Sequence, residues 1–186
     1  MKRILMAAVV AVVLGGTAQA SMVDYATLYG GVTMDPDLKY GPAKYSMDTG
    51  YNVGGGLGWD LSPGFSLGVD LMFTHSGYTC CTSSLETFSI MANGYYTFDI
   101  GSPVKPYVGL GAGGVQVTFD SSPSPSSGSD FVFGYQAEVG VSVPIANKID
   151  LVVGYKYQGA SDASIEGAKV EYKSNNLSAG LVFDLN

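Results

Sequence analysis

The stretch KIDLVVGYKY, from Lys148 to Tyr157, contains two interleaved sets of side chains. One set is apolar and ends in tyrosines: Ile149, Leu151, Val153, Tyr155 and Tyr157. The other set is mostly charged or small: Lys148, Asp150, Val152, Gly154 and Lys156. Because successive side chains of a β-strand point to opposite faces, this alternation predicts a strand with one apolar and one polar face.

The same alternation recurs along most of the chain and predicts eight strands. They cover residues 24–34, 50–61, 64–74, 86–100, 105–119, 130–144, 147–157 and 174–185. Tight links at 62–63, 101–104 and 145–146 alternate with long polar segments at 35–49, 75–85, 120–129 and 158–173. Strands of about ten residues, apolar outside and polar inside, with short turns at one end and longer loops at the other, are typical of transmembrane barrels. The sequence therefore predicts an all-β, eight-stranded, antiparallel up-and-down transmembrane barrel.

One predicted strand changes register part of the way along. In residues 105–119, the apolar positions Val108 and Leu110 are out of step with Val115 and Val117. An extra residue in a strand reverses the faces of all residues that follow it. We therefore predict a β-bulge near Gly113-Gly114 that keeps both groups on the lipid face.

The first twenty residues have the pattern of a cleaved secretory signal. Lys2 and Arg3 precede the apolar run Ile4 to Leu14, and Ala18-Gln19-Ala20 is a small-residue cleavage site. The apolar run is too short to cross a bilayer as a helix. We expect residues 1–20 to be removed, so that residues 21–186 form one barrel domain in the outer membrane of a Gram-negative bacterium.

Composition limits the possible partners. Hydrophobic residues make up 46% of the chain and charged residues only 13%, whereas soluble domains carry about 25% charged residues. Without Lys2 and Arg3, seven lysines face 16 acidic residues, a net charge of −9. Nucleic-acid binding requires a basic surface, so we expect no nucleic-acid partner.

Charged residues in the polar register would lie inside the barrel. An eight-stranded barrel is just wide enough for side chains to fill it, and buried charges require partners. We predict a lumenal network of carboxylates and lysines formed by Asp70, Glu138, Lys148, Asp150 and Lys156. An open diffusion pore is not expected at this strand number, and a narrow pore remains an alternative.

Aromatic residues collect near the predicted strand ends, as expected where rings meet lipid headgroups. The periplasmic girdle comprises Trp59, Phe65, Phe98 and Phe183, and the outer girdle includes Phe73, Phe88, Phe131, Tyr155 and Tyr157. An even number of strands places both termini in the periplasm.

Two stretches resemble known small outer-membrane β-barrel proteins. Lys105 to Gly113, KPYVGLGAG, resembles a strand motif of the opacity and porin families. Leu177 to Leu185 resembles the terminal signal read by the barrel-assembly machinery, although Leu185 and Asn186 follow Phe183 where the usual signal ends in an aromatic residue. The overall plan is similar to OmpX and to the OmpA membrane domain. The resemblance implies a structural or surface-interaction role.

An enzymatic alternative rests on a second resemblance. Lipid A deacylases are eight-stranded barrels with a His, Ser and acidic triad, and His75, Ser76 and Glu86 are candidates here. Their motif resembles H-x-S, whereas His75 and Ser76 are adjacent and would point to opposite faces of a strand. We therefore expect no enzymatic activity, with the deacylase-like hydrolase as the alternative.

The remaining motifs predict no cofactor and no metal site. Cys80 and Cys81 could form a strained vicinal disulfide in an oxidising compartment or remain free thiols. An acidic loop containing Asp35 and Asp37 is either simply solvated or in contact with cations bound to lipopolysaccharide. We expect a monomer surrounded by outer-membrane lipid and lipopolysaccharide, whose external loops contact a host or surface ligand and contribute to envelope integrity.

Overall fold

Pairing between neighbouring strands closes the chain into a barrel. The computed structural model describes residues 23–40, 43–46, 48–77, 84–120, 128–165 and 168–186, so the predicted signal peptide lies outside the described residues. Within these ranges, nine strands follow in chain order: β1 Tyr25–Tyr40, β2 Ala43–Ser46, β3 Gly50–Ser62, β4 Phe65–Gly77, β5 Ser84–Thr97, β6 Lys105–Asp120, β7 Gly128–Ala146, β8 Ile149–Ile165 and β9 Ala168–Asp184. In the same ranges, no helix is both long and apolar enough to span a bilayer.

Eight of these strands form the closed wall. Each pairs antiparallel with its neighbour in the order β1, β3, β4, β5, β6, β7, β8, β9, and β9 returns to pair with β1. The short strand β2 pairs with β1 alone and extends the wall at one end. The predicted eight-stranded antiparallel barrel is confirmed. Closure satisfies the backbone of every wall strand, which hydrocarbon requires.

The two ends of the barrel differ. At one end, here called the turn end, tight connections follow Ser62 and Ala146, and residues 98–104 join β5 to β6. Gly64 has a φ of 80° and Lys148 a φ of 64°, the left-handed conformation that such reversals require. The opposite end, here called the loop end, contains the other connections.

Several strands extend farther toward the loop end than the sequence predicted. β1 and β9 remain paired up to Tyr40 and Val170, and β8 and β9 up to Ile165 and Ala168. Apolar alternation stops before these residues, so the sequence alone indicated loops at 35–49 and 158–173. Backbone hydrogen bonds between neighbouring strands do not require an apolar face. The paired strands can therefore extend beyond the residues that show apolar alternation.

The outer and inner faces follow the predicted alternation over most of the wall. Outward residues such as Val69, Ile90 and Val153 are exposed, whereas inward residues such as Asn52 and Thr74 are buried. The exposed large apolar side chains therefore form the exterior, and polar side chains fill much of the interior. The main packing of the molecule lies inside the tube.

The predicted bulge at Gly113-Gly114 is wrong. The register of β6 with both neighbours is continuous through these residues. Val115 and Val117 consequently point into the lumen, with 0% and 3% of their surface exposed, and Gln116 points outward. The apolar residues past the glycines pack inside the tube, and the loop half of the lumen is therefore partly apolar.

Candidate functional site

A buried ammonium group holds two carboxylates together inside the barrel. Lys156 lies on β8, and its Nζ is 3.3 Å from the Glu138 carboxylate on β7 and 3.7 Å from the Asp70 carboxylate on β4. All three side chains are largely buried. Burial of these charges costs free energy unless they are paired and hydrogen-bonded, and here each carboxylate is paired with the same cation.

Three tyrosines complete this cluster. Tyr95 donates a hydrogen bond of 2.7 Å to Asp70, and Tyr107 donates one of 2.7 Å to Glu138. The Lys156 ammonium lies 4.5 Å from the centre of the Tyr29 ring, within the range of a cation–π contact. With Lys156, Asp70 and Glu138 ionised, the cluster carries one net negative charge.

The other two residues of the predicted network lie apart from this cluster. Asp150 faces the lumen near the turn end, where it accepts a 2.9 Å hydrogen bond from Ser142. Lys148 is exposed in the turn between β7 and β8, and its ammonium donates a hydrogen bond to the carbonyl of Asn186. The left-handed φ of Lys148 places it outside the strand pattern, so the assignment of Lys148 to the lumenal network is corrected.

Buried amides and hydroxyls pack above the cluster, toward the loop end. Gln136 donates a 2.5 Å hydrogen bond to Asn93, and Gln158 donates one of 3.2 Å to Ser89. A second group links the three strands β1, β3 and β9 through Thr33, Asn52, Asn176 and Ser178. These bonds join strands that are distant in sequence, so they brace the tube from within.

Apolar side chains fill the rest of this half. Among the described residues, the buried inward apolar side chains are Met72, Met91, Val115, Val117, Val132, Ala160 and Tyr172. Gly134 provides room for two of them, because a Cβ there would lie 2.5 Å from Val115 and 2.7 Å from Met91. We call Met91 and Val115 the apolar plug. Together with the amides, the plug closes the lumen toward the loop end.

The turn half of the lumen is hollow. A cavity of about 1030 Å³ extends from the ion cluster to the turns at Ser62–Gly64 and Ala146–Lys148. Tyr25, Tyr95 and Tyr107 line it, as do Asp70 and Glu138. Small residues opposite the rings leave room for them, because a Cβ on Gly140 would lie 2.6 Å from Tyr107. The cavity can admit water or a small solute from the turn end.

The hydrolase candidates do not assemble into a triad. His75 Nδ1 lies 3.7 Å from the Glu86 carboxylate, and the two residues are direct partners on β4 and β5. Ser76 is buried on the opposite face, inside the barrel. The strand alternation therefore separates the imidazole from the hydroxyl that it would activate. Instead, the His75 ring lies 5.4 Å from the ring of Tyr51 on the exterior.

The cysteine prediction lies outside the described residues. Cys80 and Cys81 fall between residues 77 and 84, so whether they form a disulfide stays a prediction. Across the ranges described, His, Cys, Asp and Glu do not gather in threes at metal-binding distance.

The predicted aromatic residues occupy both ends of the exterior wall. Trp59, Phe65 and Phe98 are exposed at the turn end, and Phe183 pairs with Ala26 there. Toward the loop end, Phe73 pairs with Phe88. The other outward rings on this side are Tyr51, Phe131, Phe133, Tyr135, Tyr155 and Tyr157. The Tyr155 hydroxyl donates a 2.6 Å hydrogen bond to Asn175. These two belts bracket the apolar band.

Sequence reasoning missed several members of the lumenal site. Tyr29, Tyr95 and Tyr107 lie on the inward register, but they were not assigned to the charge network. Their signal was available, because Tyr95 alternates with the outward Tyr96 and Tyr107 with the outward Val108. Tyrosine combines an apolar ring with a hydroxyl that can hydrogen-bond a buried carboxylate.

Comparison with solved structures identifies the same architecture. Neisserial surface protein A is 21% identical, with a TM-score of 0.63 over 87% of this chain and 97% of that protein. Ail, the attachment invasion locus protein of Yersinia pestis, is 18% identical, with a TM-score of 0.50 over 87% and 100%. The outer membrane protease OmpT of Escherichia coli is 8% identical, with a TM-score of 0.53 over 91% and 99%. At these identities, the likeness concerns the fold.

The family of the chain is identified from its sequence. No curated protein matches the chain. The profile of the outer membrane protein beta-barrel domain, however, matches residues 7–184, nearly the whole chain. Together with the closed eight-stranded wall, the apolar exterior and the polar lumen, this match shows that the chain belongs to the outer membrane protein beta-barrel domain family.

Proposed function

We propose that the protein is a monomeric, non-enzymatic outer-membrane barrel that supports envelope integrity and makes contacts at the cell surface. In this proposal, both chain ends and the turn end face the periplasm. The loop end faces outward and meets lipopolysaccharide and a host or surface ligand. The barrel-assembly machinery inserts the chain, and the net charge of −9 is unsuited to nucleic acid.

The observation that carries the proposal is the length of the paired strands beyond the loop-end aromatic belt. Tyr157 lies in that belt, and the β8–β9 ladder continues to Ile165 and Ala168. With strands tilted by about 40°, these eight residues rise about 20 Å along the membrane normal. The β1–β9 ladder also continues, to Tyr40. A hydrogen-bonded sheet outside the membrane is a fixed support for surface contacts.

Two further observations support a role without catalysis or free diffusion. Ser76 points into the lumen, away from the exterior pair formed by His75 and Glu86. Met91 and Val115 are almost wholly buried in the loop half of the lumen, where a pore would need a water path. Neisserial surface protein A and the attachment invasion locus protein, which share this fold, are by name a surface protein and an attachment protein, and this supports the same proposal for this chain.

Orientation can be tested on intact cells. An epitope inserted between Asp120 and Gly128 should bind antibody on whole cells, whereas one at Asn147 should bind only after the outer membrane is permeabilised. Cells expressing the protein should also adhere more strongly to a host-cell or matrix surface than cells lacking it. The reverse labelling pattern contradicts the orientation, and equal adhesion together with an intact envelope in the deletion strain contradicts the role.

The alternatives have their own measurements. Mass spectrometry of lipid A should give the same acyl pattern for wild type and for His75→Ala. If a deacylated lipid A species present with wild type disappears in His75→Ala, the hydrolase is established instead. Purified protein in planar bilayers should give no discrete conductance steps. Reproducible steps would establish a narrow pore.

A further inference from the structure

Four side chains form a polar row on the outside of the wall, near the loop end. Direct strand pairing joins Tyr51 to His75, His75 to Glu86, and Glu86 to Thr118, across β3, β4, β5 and β6. We call these four residues the exterior row. Neighbouring strands lie about 4.8 Å apart, so the row is about 14 Å long. It lies on the surface that would otherwise face only lipid.

The depth of this row matches lipid headgroups. His75 is ten residues from Phe65, which belongs to the turn-end aromatic belt. With tilted strands, ten residues rise about 25 Å, the height of the apolar band of such barrels. Partly exposed ionisable groups at this depth reach the headgroup layer: the side chains of His75 and Glu86 are 35% and 27% exposed.

The wall below the row is apolar on β3, β4 and β5. The next outward residues on these three strands are Val53, Phe73 and Phe88, which are again direct partners, and Leu71 and Ile90 pair below them. On β6, the next outward residue is the polar Gln116. An acyl chain can lie on this surface while its headgroup lies on the row. This continuity favours a lipid over a soluble partner, because a soluble molecule would not use the apolar rows.

The chemistry of the row favours a sugar headgroup. The Glu86 carboxylate and the hydroxyls of Tyr51 and Thr118 can hydrogen-bond sugar hydroxyls. The rings of Tyr51 and His75 lie side by side with centroids 5.4 Å apart and offer flat surfaces to sugar C–H groups. The row itself contains no Lys or Arg, and the carboxylate of Glu86 would repel a phosphate. A headgroup recognised mainly through phosphate is therefore disfavoured.

We propose that the exterior row formed by Tyr51, His75, Glu86 and Thr118 binds the sugar headgroup of an outer-leaflet glycolipid, whose acyl chains lie on the apolar wall beneath. This inference rests on the membrane placement and orientation proposed above. It adds a specific lipid-binding site on the outer wall to the surface contacts proposed for the loop end.

Native mass spectrometry of the folded full-length mature barrel in detergent tests the site. The probe is lipopolysaccharide truncated to lipid A and inner-core sugars, in competition with phosphatidylglycerol and phosphatidylethanolamine. Wild type should retain the glycolipid with at least about fivefold preference over either phospholipid. The double variant His75→Ala/Glu86→Gln should lose this preference, and Tyr51→Leu should weaken it.

Asn175→Ala is the matched control, because Asn175 points outward near the same belt on β9, away from the row. It should keep the preference of wild type. Heat-modifiable gel migration establishes that each variant is folded. Equal retention of all three lipids by wild type, or an unchanged preference in both row variants, overturns the proposal. The lipid preference is measured in detergent and does not depend on orientation, whereas a reversed orientation would place the row in the other leaflet and overturn the outer-leaflet assignment alone.

Discussion

Lys156 and Glu138 face each other directly across the β7–β8 ladder, and their charged groups are 3.3 Å apart inside the barrel. Alternation along each strand turns both side chains into the lumen. The register between β7 and β8 then places them opposite each other. The energetic role of the pair can be measured by removing one partner at a time.

Lys156→Gln should destabilise the folded barrel by about 3–5 kcal/mol, because it leaves Asp70 and Glu138 buried together without a cation. Unfolding by urea in lipid vesicles, followed by the fluorescence of Trp59, the single tryptophan, gives this free energy. Lys148→Gln is the matched control: Lys148 is exposed in a turn, and the change should cost about 0.5 kcal/mol or less. Equal effects of the two substitutions would mean that the buried ammonium contributes nothing particular.

Val153→Arg should cost about 2–4 kcal/mol, because Val153 is exposed on the lipid face between the two aromatic belts. Leu185→Arg introduces the same side chain at the turn end and should cost about 0–1 kcal/mol. The same unfolding experiment compares them. A larger cost at Leu185 than at Val153 would contradict the position of the apolar band.

Gly134→Ala should destabilise by about 1–3 kcal/mol, because the new Cβ would overlap Val115 and Met91 in the plug. Val115→Ala in the same chain removes the nearest overlapping atom and should recover part of the loss. Gly77→Ala is the control, since a Cβ there has no neighbour within 4 Å. If Gly134→Ala is as harmless as Gly77→Ala, the plug is not packed as described.

Cysteine labelling can test the register of β6. In a background carrying Cys80→Ser and Cys81→Ser, Gln116→Cys in detergent micelles should react with a lipid-soluble maleimide about tenfold faster than Val117→Cys, because Gln116 is exposed on the outer wall and Val117 is buried in the lumen. Unfolding in urea should equalise the two rates. Faster labelling at residue 117 of the folded protein would restore the bulge at Gly113-Gly114.

The strand pattern was the most predictable part of this fold. All eight wall strands were located, because their outward residues had to be apolar, and alternation is a local signal. The strand ends at Tyr40 and Ile165 could not be located, since pairing there is independent of apolar side chains. Val115 and Val117 were assigned to lipid because the sequence does not distinguish an apolar residue outside the tube from one inside it.

The lumenal site was only partly predictable for a similar reason. The inward register of Asp70, Glu138 and Lys156 follows from alternation, but which of them meet depends on how neighbouring strands align around the ring. Lys148 has the same parity as Lys156, but the turn geometry leaves it exposed at the mouth of the cavity, apart from the ion cluster. Local pattern thus gives the direction of a side chain, and strand register gives its neighbours.

The contrast between the packed and hollow halves of the lumen makes the tube one-sided. The ion cluster lies at the closed end of the cavity of about 1030 Å³, and amides and apolar side chains lie between it and the loop end. In the part of the chain that the structure describes, water and protons can exchange with Lys156 from one compartment only. The barrel wall thus crosses the whole membrane, while the cavity inside it is accessible to solvent from one side only.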